Sequence, residues 1–178
     1  MSRNLVKSQS YSYAGTTKTV QCGWTELMRR TIEKVMELEQ REGEDGNGGE
    51  GEGRGSSGAC YNFALLNYYA DGKDYMGLHS DDETGLVPGS SIASISLGAE
   101  RDFVFQHKQK EEGGGEGKRR KKTRTVRLGH GSLLVMKAPT QSHWKHALPQ
   151  RMGVSTPRIN ITFRCVHQHA SNAPDHPP

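Results

Sequence analysis

Cysteine is scarce in this chain, and no run of apolar residues approaches the length of a membrane span. Cys22, Cys60 and Cys165 are too few and too scattered for a disulfide framework, so a reducing intracellular compartment is expected rather than secretion. The polar N-terminus has no apolar stretch of the signal-peptide kind, and a soluble protein that meets no membrane is expected. Apolar residues are also sparse, at 32% of 178 positions. Two tracts rich in glycine and charge dilute that figure, however, and the segments between them are more apolar than the mean. The length suits one domain with a real core. The net charge of +4 is unevenly placed, with acidic residues crowding 42–52 and lysines and arginines crowding 118–127. A basic cluster of this kind is either a solvated loop or the footprint of a polyanionic partner.

Residues 24–39 set Trp24, Leu27, Met28, Ile32, Val35, Met36 and Leu38 among charges at helical spacing. That pattern predicts an amphipathic helix packing one face on something larger. The tract Gly43–Gly58 cannot repay its ordering entropy and reads as a flexible insertion. Beyond it the pattern changes to strands, at Tyr61–Tyr69, Tyr75–His79, Ile92–Leu97, Asp102–His107, Thr123–Leu128, Ser132–Lys137 and Arg158–Cys165. Asp71-Gly72, Pro88-Gly89 and Gly129-His130-Gly131 supply turns between them. Many short strands with one flanking helix predict a mainly β fold with a double-stranded β-helix, or jelly-roll, core. The expected organisation is one domain over 1–166, with insertions at about 43–58 and 109–122, and a disordered tail over 167–178. The second insertion falls between two strands and reads as a mobile hairpin loop.

Two short segments carry chemistry. His79 and Asp81 are two apart, so on an extended strand both side chains point to one face. With a histidine from a distant strand they would make the two-histidine, one-carboxylate set that holds non-haem Fe(II) and leaves positions open for an oxidant and a cosubstrate. His130, His143 and His146 are the candidates for that third place. His130 sits between two glycines in a turn. His143 and His146 are three apart, so on a strand only one of them can face the metal, and position alone does not choose. The second segment alternates Arg158, Asn160, Thr162 and Arg164 with Ile159, Ile161 and Phe163. One face is polar and the other apolar, as in a core strand whose polar face lines a cavity. Arginine's planar fork is suited to a carboxylate, so this strand points to a dicarboxylate cosubstrate.

Taken in order, these motifs resemble one family. Asn67-x-Tyr69-x-Asp71-Gly72, His79-x-Asp81-Asp82-Glu83, Pro88-Gly89-Ser90, Ile92-Ala93-Ser94, Arg101-Asp102-Phe103, Gly131-Ser132-Leu133-Leu134, His146-x-Leu148-Pro149 and Arg158-x-Asn160-x-Thr162-Phe163-Arg164 are similar to the AlkB family of Fe(II)/2-oxoglutarate-dependent dioxygenases. The branch most resembled is the eukaryotic AlkB homologue 2 type, which repairs alkylated DNA. The resemblance implies that His146, before Leu148-Pro149, is the third ligand. It implies that Arg158 and Tyr69 grip the distal carboxylate of 2-oxoglutarate, that Arg164 and Asn67 work at the end near iron, and that Asn160 and Thr162 line the same pocket.

The reaction so implied uses dioxygen to decarboxylate 2-oxoglutarate to succinate while an N-methyl carbon of 1-methyladenine or 3-methylcytosine is oxidised and lost as formaldehyde. A base inside a duplex must be flipped out, or already single-stranded, to reach such a site. Tyr11 and Tyr13 match the family's nucleotide-recognition segment. Asp82, Glu83 and Asp102 would lie near the cationic lesion, while Arg101, His107, Lys108 and the 118–127 run would meet phosphates. Members of this branch usually carry a further N-terminal hairpin with an apolar finger, and this chain begins about ten residues before Tyr11; the expectation is either a fragment or incomplete gene model, or a protein that prefers single strands. RNA demethylation, or nucleic-acid binding without turnover, is the alternative. A monomer in the nucleus, or else in the cytoplasm or an organelle, completes the expectation.

Overall fold

The computed structural model describes residues 10–13, 16–19, 23–44, 61–83, 85–110 and 121–167. Strands β1 (Ser10–Tyr13) and β2 (Thr16–Thr19) form an antiparallel ribbon, followed by helix α1 (Glu26–Glu44). Then come β3 (Phe63–Tyr69), β4 (Met76–His79), β5 (Ile92–Gly98), β6 (Arg101–Lys110), β7 (Lys121–Leu128) and β8 (Leu133–Met136). The short helix α2 (Thr140–His143), β9 (Trp144–Leu148) and β10 (Arg158–Arg164) complete the order. The strands from β3 onward make two four-stranded antiparallel sheets, β3-β10-β5-β8 and β4-β9-β6-β7. Apart from the β6–β7 hairpin, each strand crosses to the other sheet from the one before it. That winding is the double-stranded β-helix the sequence predicts.

The outer face of the first sheet explains the helix. Ile161 and Phe163 of β10 and Ala93 of β5 point away from the sandwich interior, and α1 covers them with Ile32 and Val35. Trp24 stacks on Phe163 with ring centroids 6.1 Å apart, and Tyr61 packs on the same ring. Thr25 opens the helix by accepting the Met28 N–H on its hydroxyl at 3.2 Å, which satisfies one orphan donor of the first turn. Glu39 and Ser91 share the Tyr61 hydroxyl at 2.9 Å each, tying the helix to the start of β5.

Several boundaries differ from the sequence expectation. Helix α1 runs on to Glu44, because Gln40, Arg41 and Glu42 are good helix formers and carry the turn through Gly43. Gly43 and Glu44 are thus helical; the rest of that expected insertion lies outside the described residues. Strands β6 and β7 extend the second hairpin inward to the Lys110–Lys121 pair, and residues 111–120 lie outside the described residues. His167 donates its N–H to the Gly85 carbonyl at 2.9 Å, so chain order persists one residue beyond the expected end of the domain; 168–178 lie outside the described residues. Strand β9 does not figure among the predicted strands. Five residues ended by Pro149 leave too short a pattern to read.

Gly98, at the end of β5, has φ +88°, and a Cβ there would lie 2.3 Å from the Pro157 carbonyl oxygen beside Arg158. Gly98→Ala therefore meets both a left-handed backbone and a fixed carbonyl. The expected loss is about 1–3 kcal/mol, read as a fall of several degrees in melting temperature; an unchanged melting curve would show that β5 and β10 can separate at this point without cost.

Candidate active site

Pairing of β4 with β9 sets His79 opposite His146. Asp81, two residues past His79, turns its carboxylate between the two rings. The His79 Nε2 is 3.7 Å from Asp81 Oδ1, and the His146 Nε2 is 3.8 Å from Asp81 Oδ2. Among the described residues this is the only group of three or more histidine, cysteine, aspartate or glutamate side chains whose donor atoms converge so closely, all within 4.8 Å. The two imidazoles are prepared in different ways. His79 Nδ1 lies 2.8 Å from the Gly77 carbonyl oxygen, which can only accept, so Nδ1 donates there and Nε2 is the ring nitrogen turned to Asp81. His146 has no hydrogen-bond partner on its buried Nδ1. Its ring is held by Phe103, stacked at 5.2 Å and 23°, with Phe105 at 6.3 Å. Burial lowers its pKa to about 4, against the pull of Asp81 and with help from His79 and Arg164. It is neutral at physiological pH, the form that ligates. Two imidazoles and one carboxylate, with no thiolate, fit Fe(II) with open positions.

The polar face of β10 continues the cavity. Arg164 donates from Nη2 to Asp81 Oδ1 at 2.8 Å, with both groups buried. Asn160 donates to Ser94 Oγ (2.7 Å) and the Ile95 carbonyl (3.1 Å), and Thr162 donates to Asn160 Oδ1 (2.9 Å). Arg158 is almost completely buried. Its Nη1 donates to the Ala99 and Leu128 carbonyls at 3.1 Å each, and its Nη2 donates to Ser96 Oγ. Its Nε is buried without a hydrogen-bond partner. Tyr69 lies opposite Arg158 across β3 and β10. Burial raises the Tyr69 phenol's pKa, partly offset by the arginines Arg158 and Arg101, so the hydroxyl stays a neutral donor. An unmet cationic donor beside a neutral phenol, across a cavity from a metal-ligand set, is the environment a carboxylate would complete. Asn67, Tyr69, Arg158, Asn160, Thr162 and Arg164 all line this cavity together with His79, Asp81 and His146.

Other predicted residues fall elsewhere. His143 ends α2, exposed and stacked on His107, and His130 accepts the Gly98 N–H on Nδ1 at 3.0 Å; neither joins the triad. Glu83 stands at the mouth, 3.7 Å from Arg164 Nη1, and the exposed Asp82 lies 3.8 Å from Lys108 Nζ. Arg101 departs from expectation. It is buried, and its guanidinium donates to the carbonyls of Asp71, Asp74 and Pro149, so it ties loops together and is not available to a phosphate. Asp102 departs too. Its neighbour Phe103 faces the cavity, so on a strand Asp102 faces away, where it is paired with Arg151 and lies 3.8 Å from Arg127. The backbone of β1 carries Tyr11 and Tyr13, but their side chains lie outside the described residues. Of the basic run, Lys121, Lys122, Arg124 and Arg127 are exposed on β7, while 118–120 lie outside the described residues.

Several lining residues escaped the sequence reading. Met76, Phe103, Met136 and Leu148 form the apolar wall, and Ser94 and Ser96 buttress β10. The alternation of Arg101, Phe103 and Phe105 could have marked one face of β6. Nothing in the four residues of α2 could have marked Gln141, whose Oε1 accepts the Asp81 N–H.

Comparison with known proteins gives the same picture. Residues 2–164 match the pattern of the 2OG-Fe(II) oxygenase superfamily. DNA oxidative demethylase ALKBH2 of Mus musculus is 41% identical over 160 residues, covering 88% of this chain and 57% of that protein. Its Homo sapiens counterpart is 52% identical over 112 residues, covering 63% and 42%. Alpha-ketoglutarate-dependent dioxygenase alkB homolog 3 of Mus musculus is 39% identical over 114 residues, covering 64% and 40%. The chain thus spans only 57% or less of the length of these relatives.

Alanine at His79, Asp81 or His146 should greatly weaken binding of a divalent metal, whereas His143→Ala should leave it intact. Metal retained by His146→Ala but lost by His143→Ala would show that the wrong histidine has been chosen.

Proposed function

Because the chain belongs to the 2OG-Fe(II) oxygenase superfamily, in its AlkB branch, we propose that it oxidatively demethylates alkylated bases in DNA, holding Fe(II) on His79, Asp81 and His146 and 2-oxoglutarate against β10. The observation that carries this reading is the convergence of the triad and the buried, partly unmet Arg158 on one cavity. Bound iron and dioxygen supply the two-electron oxidation, coupled to decarboxylation of 2-oxoglutarate, that hydroxylates the methyl carbon.

The chain's own residues do the rest. Arg158 and Tyr69 hold the distal carboxylate, and Asn67 and Arg164 flank the end nearer the metal. Arg164 also donates to Asp81 Oδ1, giving the buried carboxylate a cationic partner. Met76, Phe103, Met136 and Leu148 keep water from the reacting atoms. Asp82 and Glu83 follow the metal ligand directly and put carboxylates at the mouth, where a base made cationic by methylation gains from them. Lys108 and the exposed cations of β7 supply the sequence-independent attraction to phosphates.

The test is mass spectrometry of 1-methyladenine and 3-methylcytosine oligonucleotides incubated with the protein, iron, ascorbate and 2-oxoglutarate. Loss of the methyl group from DNA is expected; loss from RNA alone would move the activity to the other backbone, and no loss from either would leave a binder. Arg158→Ala should weaken 2-oxoglutarate by about 2–5 kcal/mol, as for one partner of a buried charge pair. Arg158→Lys should recover only part of that, because an ammonium has no fork. Unchanged 2-oxoglutarate affinity in Arg158→Ala would end the pocket assignment. Neutralising Lys121, Lys122 and Arg124 should weaken DNA binding alike for every sequence and flatten its salt dependence, whereas an unaltered salt slope would make β7 a merely solvated edge.

A further inference from the structure

Asp81 is the one member of the triad that no strand holds. β4 ends at His79, and the residues that follow leave the sheet. Two bonds to the α2–β9 region fix them instead. The Ser80 hydroxyl donates to the Trp144 carbonyl at 3.1 Å, and the Asp81 N–H donates to Gln141 Oε1 at 3.0 Å. The Gln141 amide is itself oriented, since its Nε2 lies 3.4 Å from Met136 Sδ. A thioether can only accept, so the amide nitrogen is turned to Met136 and the oxygen to Asp81. Met136 ends β8 and lines the cavity. Gln141 therefore joins the end of one sheet to a ligand that follows the end of a strand in the other.

We propose that Gln141 is a positioning residue for the metal, fixing the Asp81 backbone and through it the direction of the carboxylate between the two imidazoles. The inference rests on the reading of His79, Asp81 and His146 as ligands. Its physical basis is a competition at Asp81. Arg164 bonds Oδ1 directly and draws the carboxylate towards itself. The Gln141 bond holds the Cα from which that carboxylate hangs, so Oδ2 stays 3.8 Å from the His146 Nε2. Without the amide, the Asp81 backbone loses its bond to α2, and the side chain can follow Arg164 away from the imidazoles. Outer-shell partners of this kind typically change metal affinity by roughly 10–100-fold.

The test is titration of the full chain with Co(II), followed by visible absorption bands whose position and intensity report ligand number and geometry. Gln141→Met keeps the size and removes the acceptor, while Gln141→Glu keeps an oxygen in the same place. Gln141→Met should weaken Co(II) by roughly tenfold or more and shift the bands, and Gln141→Glu should keep the wild-type bands. If Gln141→Met does not fold, Gln141→Asn, one methylene too short to reach, carries the same expectation. Wild-type affinity and bands in Gln141→Met, or an equal shift in Gln141→Glu, would overturn the proposal. A wild-type chain that develops no Co(II) bands would overturn the ligand assignment itself, and the proposal with it.

Discussion

The buried pair of Arg164 and Asp81 is the constraint on which the site depends. A carboxylate so far from water needs a compensating charge, and in the free protein Arg164 provides it. His146 is neutral, and the cations Arg158 and Arg164 match in number the carboxylates Asp81 and Glu83. A divalent metal alone would leave this cavity with two surplus positive charges. A dicarboxylate alone would leave it with two negative ones. Together they restore neutrality. Metal and cosubstrate should therefore favour each other's binding, with coupling that arises from charge balance and needs no change of shape.

Strand β10 makes that arrangement possible by carrying two chemistries at once. Ile159, Ile161 and Phe163 point outward, and α1 seals Ile161 and Phe163. Arg158, Asn160, Thr162 and Arg164 point inward, where most sandwiches would place apolar residues. Each inward polar group needs partners, and the neighbouring strands supply them. Ser94 and the Ile95 carbonyl hold Asn160, and Ser96 with the Ala99 and Leu128 carbonyls holds Arg158. The cost of burying polar groups is offset locally, and stability is left to the Trp24–Phe163–Tyr61 cluster on the opposite face. Separating the two jobs across one strand lets the cavity stay polar without loosening the fold.

What the sequence made legible follows from this division. Period-two alternation marked β10 as polar on one face; the spacing of His79 and Asp81 marked them as a pair, although β4 ends at His79 and Asp81 is held from outside the sheet rather than by strand geometry. Helix α1 was readable from its apolar stripe, though its end was not, since Gly43 is tolerated inside a helix that good formers lead into. Long-range partners were not legible. Whether Arg101 faces a phosphate or three carbonyls depends on loops from Asp71, Asp74 and Pro149 meeting in space, and no local pattern records that. The outward turn of Asp102 was legible in principle, since Phe103 beside it belongs to the row that carries Phe105. The choice between His143 and His146 rested on resemblance, because α2 and β9 are too short to show a period.

The two histidines also divide the site into a front and a back. The side chain of His79 remains 27% exposed, against 4% for His146 and 2% for Asp81. His146 is walled in by Phe103 and Phe105, while His79 is held from one edge by the Gly77 carbonyl. His79 is therefore the more open of the two imidazoles, and Asp82 and Glu83 continue the chain just beyond it, beside Lys108 and Arg164. The cosubstrate strand lies deeper, with Arg158 almost wholly enclosed. The same aromatic contacts that bury His146 and keep it neutral thus make the two imidazoles unequal in their access to solvent.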